Sequence, residues 1–295
     1  MSEMVAGKPN VSKAILERLQ SLEDLPHFPD ALIKLERILA TDDSVKVSEV
    51  VQLIAQDSRL VAGLIGVVNT PKYTTGTKTT DLNDAVIRVG LTDVRLMAHA
   101  INYKSSFKRK PPFSEIRFIN HALLSAFIAQ GLAKVLKLNS GDAFLCGLMR
   151  DIGIYLLAIE DREGYLKVIK LADYDISKLT RSEVTVFGTQ HAMMSARLLQ
   201  QWGFPQEIIL GIAHHHSPDK AAPQFQPYAY LTYLAEQAVF RLNIDNGIAD
   251  LSTDDQDTPS LALMGALDYV GLTLEVYDEL IHKAYEAAEK VGLHN

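Results

Sequence analysis

The chain has 295 residues, a net charge of −7 and an apolar share of 47%. That length and apolar content predict one large domain or two modest lobes with a true hydrophobic core. Lysine and arginine are scattered, and the one short basic run (108–110) is typical of a solvated loop. A nucleic-acid-binding protein, which usually needs a basic stripe, is therefore disfavoured.

The predicted elements are helical throughout the chain. Apolar residues recur at three- and four-residue spacing, and no segment alternates as a strand would. In chain order, helices are predicted over residues 11–22, 31–39, 47–55, 60–68, 82–89, 92–104, 114–138, 142–159, 183–201, 205–216, 228–242 and, as one or two helices, 261–291. Residues 161–172 are a charged segment, and 245–259 an acidic, exposed loop. The predicted fold class is all-α.

Three regions are predicted along the chain. Residues 1–24 form an N-terminal helical extension. Residues 25–242 form the main domain, with lobes over about 25–110 and 114–242. Residues 243–295 add an acidic loop and C-terminal helices. Glycines at positions 63 and 66 indicate close helix packing rather than a phosphate-binding loop, because no Gly-rich phosphate pattern follows a strand.

The compartment is predicted to be a reducing one, the cytoplasm. Cys146 is the only cysteine, so no intrachain disulfide can form, and its apolar neighbours indicate a buried, inert thiol. The first ten residues contain no apolar stretch of signal-peptide length. No run approaches the roughly 20 apolar residues of a membrane span.

Several polar side chains occupy helix positions where an apolar residue is expected, on the faces that should point inward. Burying a polar side chain costs about 1–3 kcal/mol unless it is hydrogen-bonded or coordinated. Their recurrence on several helices therefore suggests one shared polar site. The residues concerned are His121, Arg150, Asp151, His191, and His215 or His216 in the run His214–His216.

Two interpretations of this polar set are open. A lone inward histidine is more often a hydrogen-bonded core residue than a ligand. Several on neighbouring helices also suit a Zn, Fe or Mn site, and helix-bundle cores are where such sites are built. A structural hydrogen-bond network among the same residues is the alternative. Which histidine of 214–216 turns inward is also open, because a helix end can shift by a residue.

The order and spacing of seven segments resemble the HDOD domain family, a regulatory relative of the HD metal-dependent phosphohydrolases. The resemblance covers about residues 25–218. The segments are LPHFP at 25–29, IAQDSRL at 54–60, VNT through Tyr73 from 68, DAVIRVG at 84–90, FLCGLMRDIG at 144–153, the stretch from Glu183 to Pro205, and HHSP at 215–218. The resemblance implies an HD-like multi-helix fold with an N-terminal helical lobe. The helices predicted near the end of the chain add a C-terminal helical extension.

In catalytic HD enzymes, histidine and aspartate side chains hold one or two metal ions that activate water for phosphoester hydrolysis. The resemblance implies that the retained ligand positions are His121, Asp151, His191, His215 and His216. Two positions depart from the family pattern. Arg150 replaces the histidine of the His-Asp pair, and Glu236 aligns with a late aspartate. Glu183 is expected to have a structural role rather than to act as a general base.

Arginine is always protonated, so it cannot ligate a metal and would repel a cation. Arg150 should therefore impair hydrolysis, and the resemblance then implies a non-catalytic scaffold or output module of bacterial signal transduction. We expect an unidentified protein partner and no nucleic-acid or membrane partner. No cofactor is expected, although a weakly bound Fe, Mn or Zn ion stays an alternative. The alternative function is a metal-dependent phosphohydrolase acting on a nucleotide or phosphoester. A small-molecule or nucleotide ligand is also left open.

Overall fold

The computed structural model describes residues 11–21, 29–41, 45–248, 251 and 259–291. These residues contain sixteen α-helices, one short 310 helix and no strand, which confirms the all-α prediction. The helices are α1 Val11–Ser21, α2 Asp30–Thr41, α3 Val47–Ile54, α4 Ser58–Val68, α5 Leu82–Val89, α6 Leu91–Ser105, α7 Glu115–Leu136, α8 Ser140–Met149, α9 Ile152–Glu160, α10 Arg162–Ala172, α11 Ile176–Phe187, α12 His191–Gln201, α13 Gln206–Ala213, α14 Gln226–Arg241, α15 Leu261–Val270 and α16 Leu274–Val291.

Helices α2 to α6 pack into an N-terminal layer, in which α4 lies against both α5 and α6. A Cβ atom at Gly63 of α4 would lie 2.7 Å from the Ile101 side chain of α6. Gly63 therefore allows the two helices to approach closely, as predicted. The same prediction is wrong for Gly66, where a Cβ atom would meet no atom within 4 Å. Asp57 and Asp81 accept hydrogen bonds from backbone N–H groups at the starts of α4 and α5, and so fix where these helices begin.

Helix α7 is the central element of the fold, with α8, α14 and α16 packed around it. It is long and apolar enough to cross a membrane by length and composition, contrary to the sequence prediction. Its apolar window is 67% buried inside the fold. A core helix that is covered on several sides has the same length and apolar composition as a membrane span, because most of its faces are apolar.

Two helices predicted as continuous are interrupted, and both interruptions shape the site. The segment 142–159 divides into α8 and α9 at Arg150–Asp151. The segment 183–201 divides into α11 and α12, because Gly188 adopts a left-handed φ of 71° and ends α11. The charged segment 161–172 is the helix α10, where the Asp161 side chain accepts a hydrogen bond from the Gly164 N–H. The apolar periodicity continued across these breaks and concealed them.

The C-terminal helices pack against the core described above. Helix α16 lies along α7, and α15 lies against α14. The hydroxyl of Tyr277 in α16 donates to the backbone carbonyl of Leu234 in α14. Most of the predicted acidic loop at 245–259 lies outside the described residues, as does the LPHFP segment apart from Pro29. The division of the chain into three regions stays a prediction.

Candidate functional site

The turn between α8 and α9 places Arg150 and Asp151 side by side in the core. Arg150 ends α8, and Asp151 begins α9. The Ser195 hydroxyl of α12 donates to the Arg150 carbonyl at 2.7 Å and accepts from the Gly153 N–H at 2.8 Å. A Cβ atom at Gly153 would overlap the carbonyl oxygen of His191. The absence of a side chain at Gly153 therefore lets α9 begin directly against the start of α12.

Arg150 is fully buried, with 0% of its surface exposed. Its Nη2 atom lies 3.0 Å from Oδ2 of Asp151, and its Nε lies 3.9 Å from Oε1 of Glu236 in α14. Its Nη1 donates to the carbonyl oxygen of Gly147 in the last turn of α8. The guanidinium is thus surrounded by two carboxylates and the negative end of a helix.

His191 is the first residue of α12 and is held by Glu183 of α11. Its Nδ1 lies 2.7 Å from Oε2 of Glu183, which also accepts the His191 backbone N–H at 2.9 Å. The other carboxylate oxygen of Glu183 accepts the Tyr165 hydroxyl at 2.9 Å. The His191 Nε2 lies 3.6 Å from Oδ1 of Asp151. Glu183 therefore fixes the orientation of the ring and turns Nε2 towards the site.

His215 and His216 both reach the site from the end of α13, and His214 does not share these contacts. His215 is fully buried, with Nδ1 directed at the Ile212 carbonyl oxygen at 2.7 Å and Nε2 3.9 Å from Oδ1 of Asp151. His216 is only partly buried, and its Nε2 lies 2.7 Å from Nε2 of His191. Its Nδ1 lies 4.0 Å from Oε2 of Glu236. His215 therefore lies near Asp151, and His216 lies near Glu236.

His121 enters from the central helix α7. It is buried, and its Nδ1 lies 3.2 Å from the carbonyl oxygen of Ile244. Its ring also packs at 4.8 Å from the Phe240 ring. Its Nε2 has no hydrogen-bond partner among the described residues, which is also true of the His215 Nε2 and the Asp151 Oδ1. These three unpaired atoms are all of a kind that could bind a metal ion.

The histidines of the site differ in their pKa values and therefore in their charge at neutral pH. Burial opposes a charge on His191, but the Glu183 carboxylate, together with Asp151, raises its pKa to about 9. Burial, followed by the nearby His191 charge, lowers the pKa of His216 to about 3. Burial lowers the pKa of His121 to about 3. At neutral pH, His191 is therefore an imidazolium, whereas His216 and His121 are neutral.

The two carboxylates next to Arg150 differ in the direction of their pKa shifts. Burial alone would raise the pKa of Asp151, but the Arg150 guanidinium, followed by His191, holds it below its usual value. Burial raises the pKa of Glu236 to about 7 against the attraction of Arg150. The geometry gives the reason, since Arg150 is 3.0 Å from Asp151 and 3.9 Å from Glu236. Asp151 is thus the principal ion-pair partner of the guanidinium.

The structure brings the sequence-predicted residues into two overlapping groups. The nitrogen atoms of His191, His215 and His216 lie within 4.8 Å of one another, and so do ligand atoms of Asp151, His215 and Glu236. His121 is outside both groups. Their role as metal ligands stays a prediction.

The sequence did not predict the contacts that Glu183 and Ser195 make in the site. The structural role expected for Glu183 agrees with its contacts, but its pairing with His191 was not foreseen. A buried acid eight residues before a buried histidine, across a glycine, was the available signal. Ser195 was not predicted to belong to the site. Its bridge to the backbone of another helix leaves no mark in the sequence.

Comparison with known proteins assigns the family. The model of the HDOD domain matches residues 25–218. The match covers more than half of the chain, which therefore belongs to the HDOD domain family.

Individual relatives agree with this fold. An uncharacterised protein of Treponema pallidum (strain Nichols) is 26% identical over 209 residues, which are 70% of this chain. The chain spans only 40% of the length of that curated relative. The crystal structure of a candidate phosphohydrolase from Shewanella amazonensis SB2B is similar with a TM-score of 0.72 and 22% identity, covering 95% of this chain and 97% of that one. A candidate signal transduction protein from Marinobacter aquaeolei VT8 is similar with a TM-score of 0.75 and 18% identity, covering 99% and 68%.

Proposed function

We propose that the chain is a non-catalytic regulatory module of bacterial signal transduction, in which the HD-type metal site is degenerate. The observation that carries this proposal is the burial of the Arg150 guanidinium between Asp151 and Glu236. A fixed positive charge in contact with the carboxylates competes directly with a divalent cation for them. The module would act in the cytoplasm by binding a protein partner.

The arrangement of histidines also fits a metal ion poorly. A tetrahedral Zn²⁺ bonds each histidine nitrogen at about 2.0–2.1 Å, which separates two such nitrogens by about 3.3 Å. The Nε2 atoms of His191 and His216 are 2.7 Å apart, the distance of a hydrogen bond. The His191 Nδ1 is paired with Glu183 at 2.7 Å, so Nε2 is the nitrogen that faces the site, and that atom is paired with His216. Two of the implied ligands are therefore paired with each other.

Family membership and one structural relative support a signalling role. The HDOD family is related to signal-transduction proteins. One similar structure is that of a candidate signal transduction protein. The curated relative is longer than this chain, which covers 40% of it. A role as one module among several is consistent with that length difference.

The alternative function is a metal-dependent phosphohydrolase, and a specific observation favours it. The His121 Nε2, the His215 Nε2 and the Asp151 Oδ1 are buried without hydrogen-bond partners among the described residues. Asp151, His215 and Glu236 could hold a single ion. One similar structure is that of a candidate phosphohydrolase. The ion would supply Lewis-acid activation of water, and these side chains would hold it.

Metal content and turnover distinguish the two functions. The protein purified without chelator would be analysed by plasma mass spectrometry and assayed with bis(p-nitrophenyl) phosphate in Mn²⁺, Fe²⁺ or Zn²⁺. We expect sub-stoichiometric metal and no turnover above buffer. Near-stoichiometric metal with turnover, both lost in Asp151→Ala and in His215→Gln but kept in the exposed control Asp219→Ala, would establish the hydrolase instead. Circular dichroism would confirm that each variant is folded.

A further inference from the structure

The Arg150 guanidinium faces negative charge from three elements. Asp151 supplies a carboxylate from the start of α9, and Glu236 supplies one from α14. The Gly147 carbonyl belongs to the C-terminal turn of α8, where the helix dipole is negative. The carboxylate residues are only 3% exposed, so water cannot screen their charges. An uncompensated carboxylate in such a place is strongly destabilising, and a cation is required there.

We infer that Arg150 is a built-in cation that replaces a divalent ion as the counter-charge of Asp151 and Glu236, and that it makes the folding of this helical core independent of metal. The inference rests on the proposed function, because it explains why the site can do without an ion. The inference goes further than the proposed function, because it states that the stability of the fold depends on the charge of Arg150. Loss of catalysis alone would not make the fold depend on that charge.

The other positively charged group of the site cannot take over this task. His191 is bound through Nδ1 to Glu183 at 2.7 Å, whereas its Nε2 lies 3.6 Å from Asp151. His216, in the turn after α13, lies 4.0 Å from Oε2 of Glu236 through Nδ1 and is paired with His191 through Nε2 at 2.7 Å. His215 lies 3.9 Å from Oδ1 of Asp151 through Nε2, and its Nδ1 is directed at the Ile212 carbonyl oxygen at 2.7 Å. Arg150 is therefore the group that contacts both carboxylates with a permanent charge.

Hydrogen bonds to the backbone and to the side chain of Arg150 hold its guanidinium next to the two carboxylates, where a bound ion would otherwise lie. The Ser195 hydroxyl holds the Arg150 carbonyl oxygen at 2.7 Å, which fixes the backbone from which the side chain extends. The Nη1 bond to Gly147 returns the guanidinium towards its own helix. An ion bound to Asp151 at about 2.1 Å would then lie next to this guanidinium, and the repulsion between them would oppose its binding.

Thermal unfolding with and without metal tests the inference. The full chain and the variants Arg150→His and Arg150→Lys would be melted in EDTA and in millimolar Mn²⁺ or Zn²⁺. We expect the melting temperature of the wild type to change by less than about 1 °C between the two conditions, since nothing binds. In EDTA, Arg150→His should melt about 10 °C lower, and metal should restore about 5 °C, because histidine can ligate. Arg150→Lys, which keeps the charge, should stay metal-insensitive. A wild type that is stabilised by metal as much as Arg150→His would overturn the inference.

A charge-balanced pair of substitutions keeps the test informative if Arg150→His does not fold. Arg150→Met alone leaves two buried acids, whereas Arg150→Met with Asp151→Asn removes one charge of each sign. We expect the double variant to melt at a higher temperature than Arg150→Met, because the two residues interact. A double variant that is less stable than Arg150→Met would show that packing, not charge, is what Arg150 provides. Metal-linked stability of the wild type without phosphoester turnover would overturn this inference alone, whereas turnover would overturn the proposed function.

Discussion

The Nε2 atoms of His191 and His216 lie 2.7 Å apart, so one ring must donate a proton to the other. His191 is the donor, because Glu183 raises its pKa to about 9 against the effect of burial. His216 is the acceptor, because burial and the adjacent imidazolium lower its pKa to about 3. A chain of hydrogen bonds therefore runs from Tyr165 through Glu183 and His191 to His216.

The first prediction concerns the acid that charges His191. Replacing Glu183 with glutamine removes the carboxylate 2.7 Å from Nδ1, so the pKa of His191 should fall by more than one unit. Nitrogen-15 NMR of the histidine rings across a pH titration measures it directly. The control is Glu279→Gln, an exposed acid of α16 paired with Lys283, which should leave the titration unchanged. A His191 pKa that stays near 9 in Glu183→Gln would refute the assignment.

The second prediction concerns stability at acid pH. His121 and His216 have pKa values lowered to about 3 in the fold, whereas the unfolded state has ordinary histidines of about 6.5. At a pH between about 3 and 6.5, each of these histidines binds a proton when the protein unfolds. The free energy of unfolding should therefore fall as the pH drops from 6.5 towards 3. The slope is up to about 1.4 kcal/mol per pH unit for each histidine. Urea unfolding from pH 6.5 to 4 measures it.

A variant separates this effect from general acid unfolding. In His121→Gln, the slope of the free energy of unfolding against pH between 6.5 and 4 should be smaller by the contribution of one histidine. The exposed control His282→Gln should have the slope of the wild type. Equal slopes in all three proteins would contradict the prediction.

The third prediction concerns stability at alkaline pH. His191 has a folded pKa of about 9, above the unfolded value of about 6.5. Its contribution to stability is therefore complete below pH 6.5 and is lost as the pH rises to about 9. Urea unfolding at pH 6.5, 8 and 9 should show the decline in the wild type. The decline should be smaller in Glu183→Gln, where His191 no longer has the raised pKa, and an equal decline in both proteins would exclude His191 as its cause.

Much of this molecule follows from the sequence alone. The helical periodicity predicted the fold class, and inward-facing polar residues predicted that α7, α9, α12 and α13 would contribute to one site. The exact helix breaks were not predicted, because apolar spacing runs through Arg150–Asp151 and through Gly188. The partner of Arg150 in α14 was suggested only by alignment with the family. Contacts between helices far apart in the chain depend on packing, which periodicity does not encode.

The fourth prediction concerns the close approach of α9 and α12. In Gly153→Ala, the added methyl group would overlap the His191 carbonyl oxygen, and a backbone atom cannot move aside without shifting the helix. We expect a loss of about 3 kcal/mol or more in the free energy of unfolding. The matched control is Gly66→Ala in α4, where the new methyl group meets no atom within 4 Å. That change should stabilise the helix by up to about 1 kcal/mol. Similar losses in both variants would show that the close approach is not the reason for Gly153.

The fifth prediction concerns the hydroxyl that ties the Arg150 turn to α12. Ser195→Ala removes a buried group that both accepts from Gly153 and donates to the Arg150 carbonyl, and leaves those two backbone atoms unpaired. Chemical denaturation should show a loss of about 1–3 kcal/mol. Ser105→Ala is the control, because Ser105 is exposed and the Asn102 carbonyl oxygen that accepts from it also accepts from the Ser106 hydroxyl. This change should alter stability by less than about 0.5 kcal/mol. Ser195 also holds the backbone of Arg150. In Ser195→Ala the guanidinium should therefore move away from Asp151, and Mn²⁺ should raise the melting temperature of this variant. A Ser195→Ala protein as stable as the wild type would mean that packing alone holds the turn.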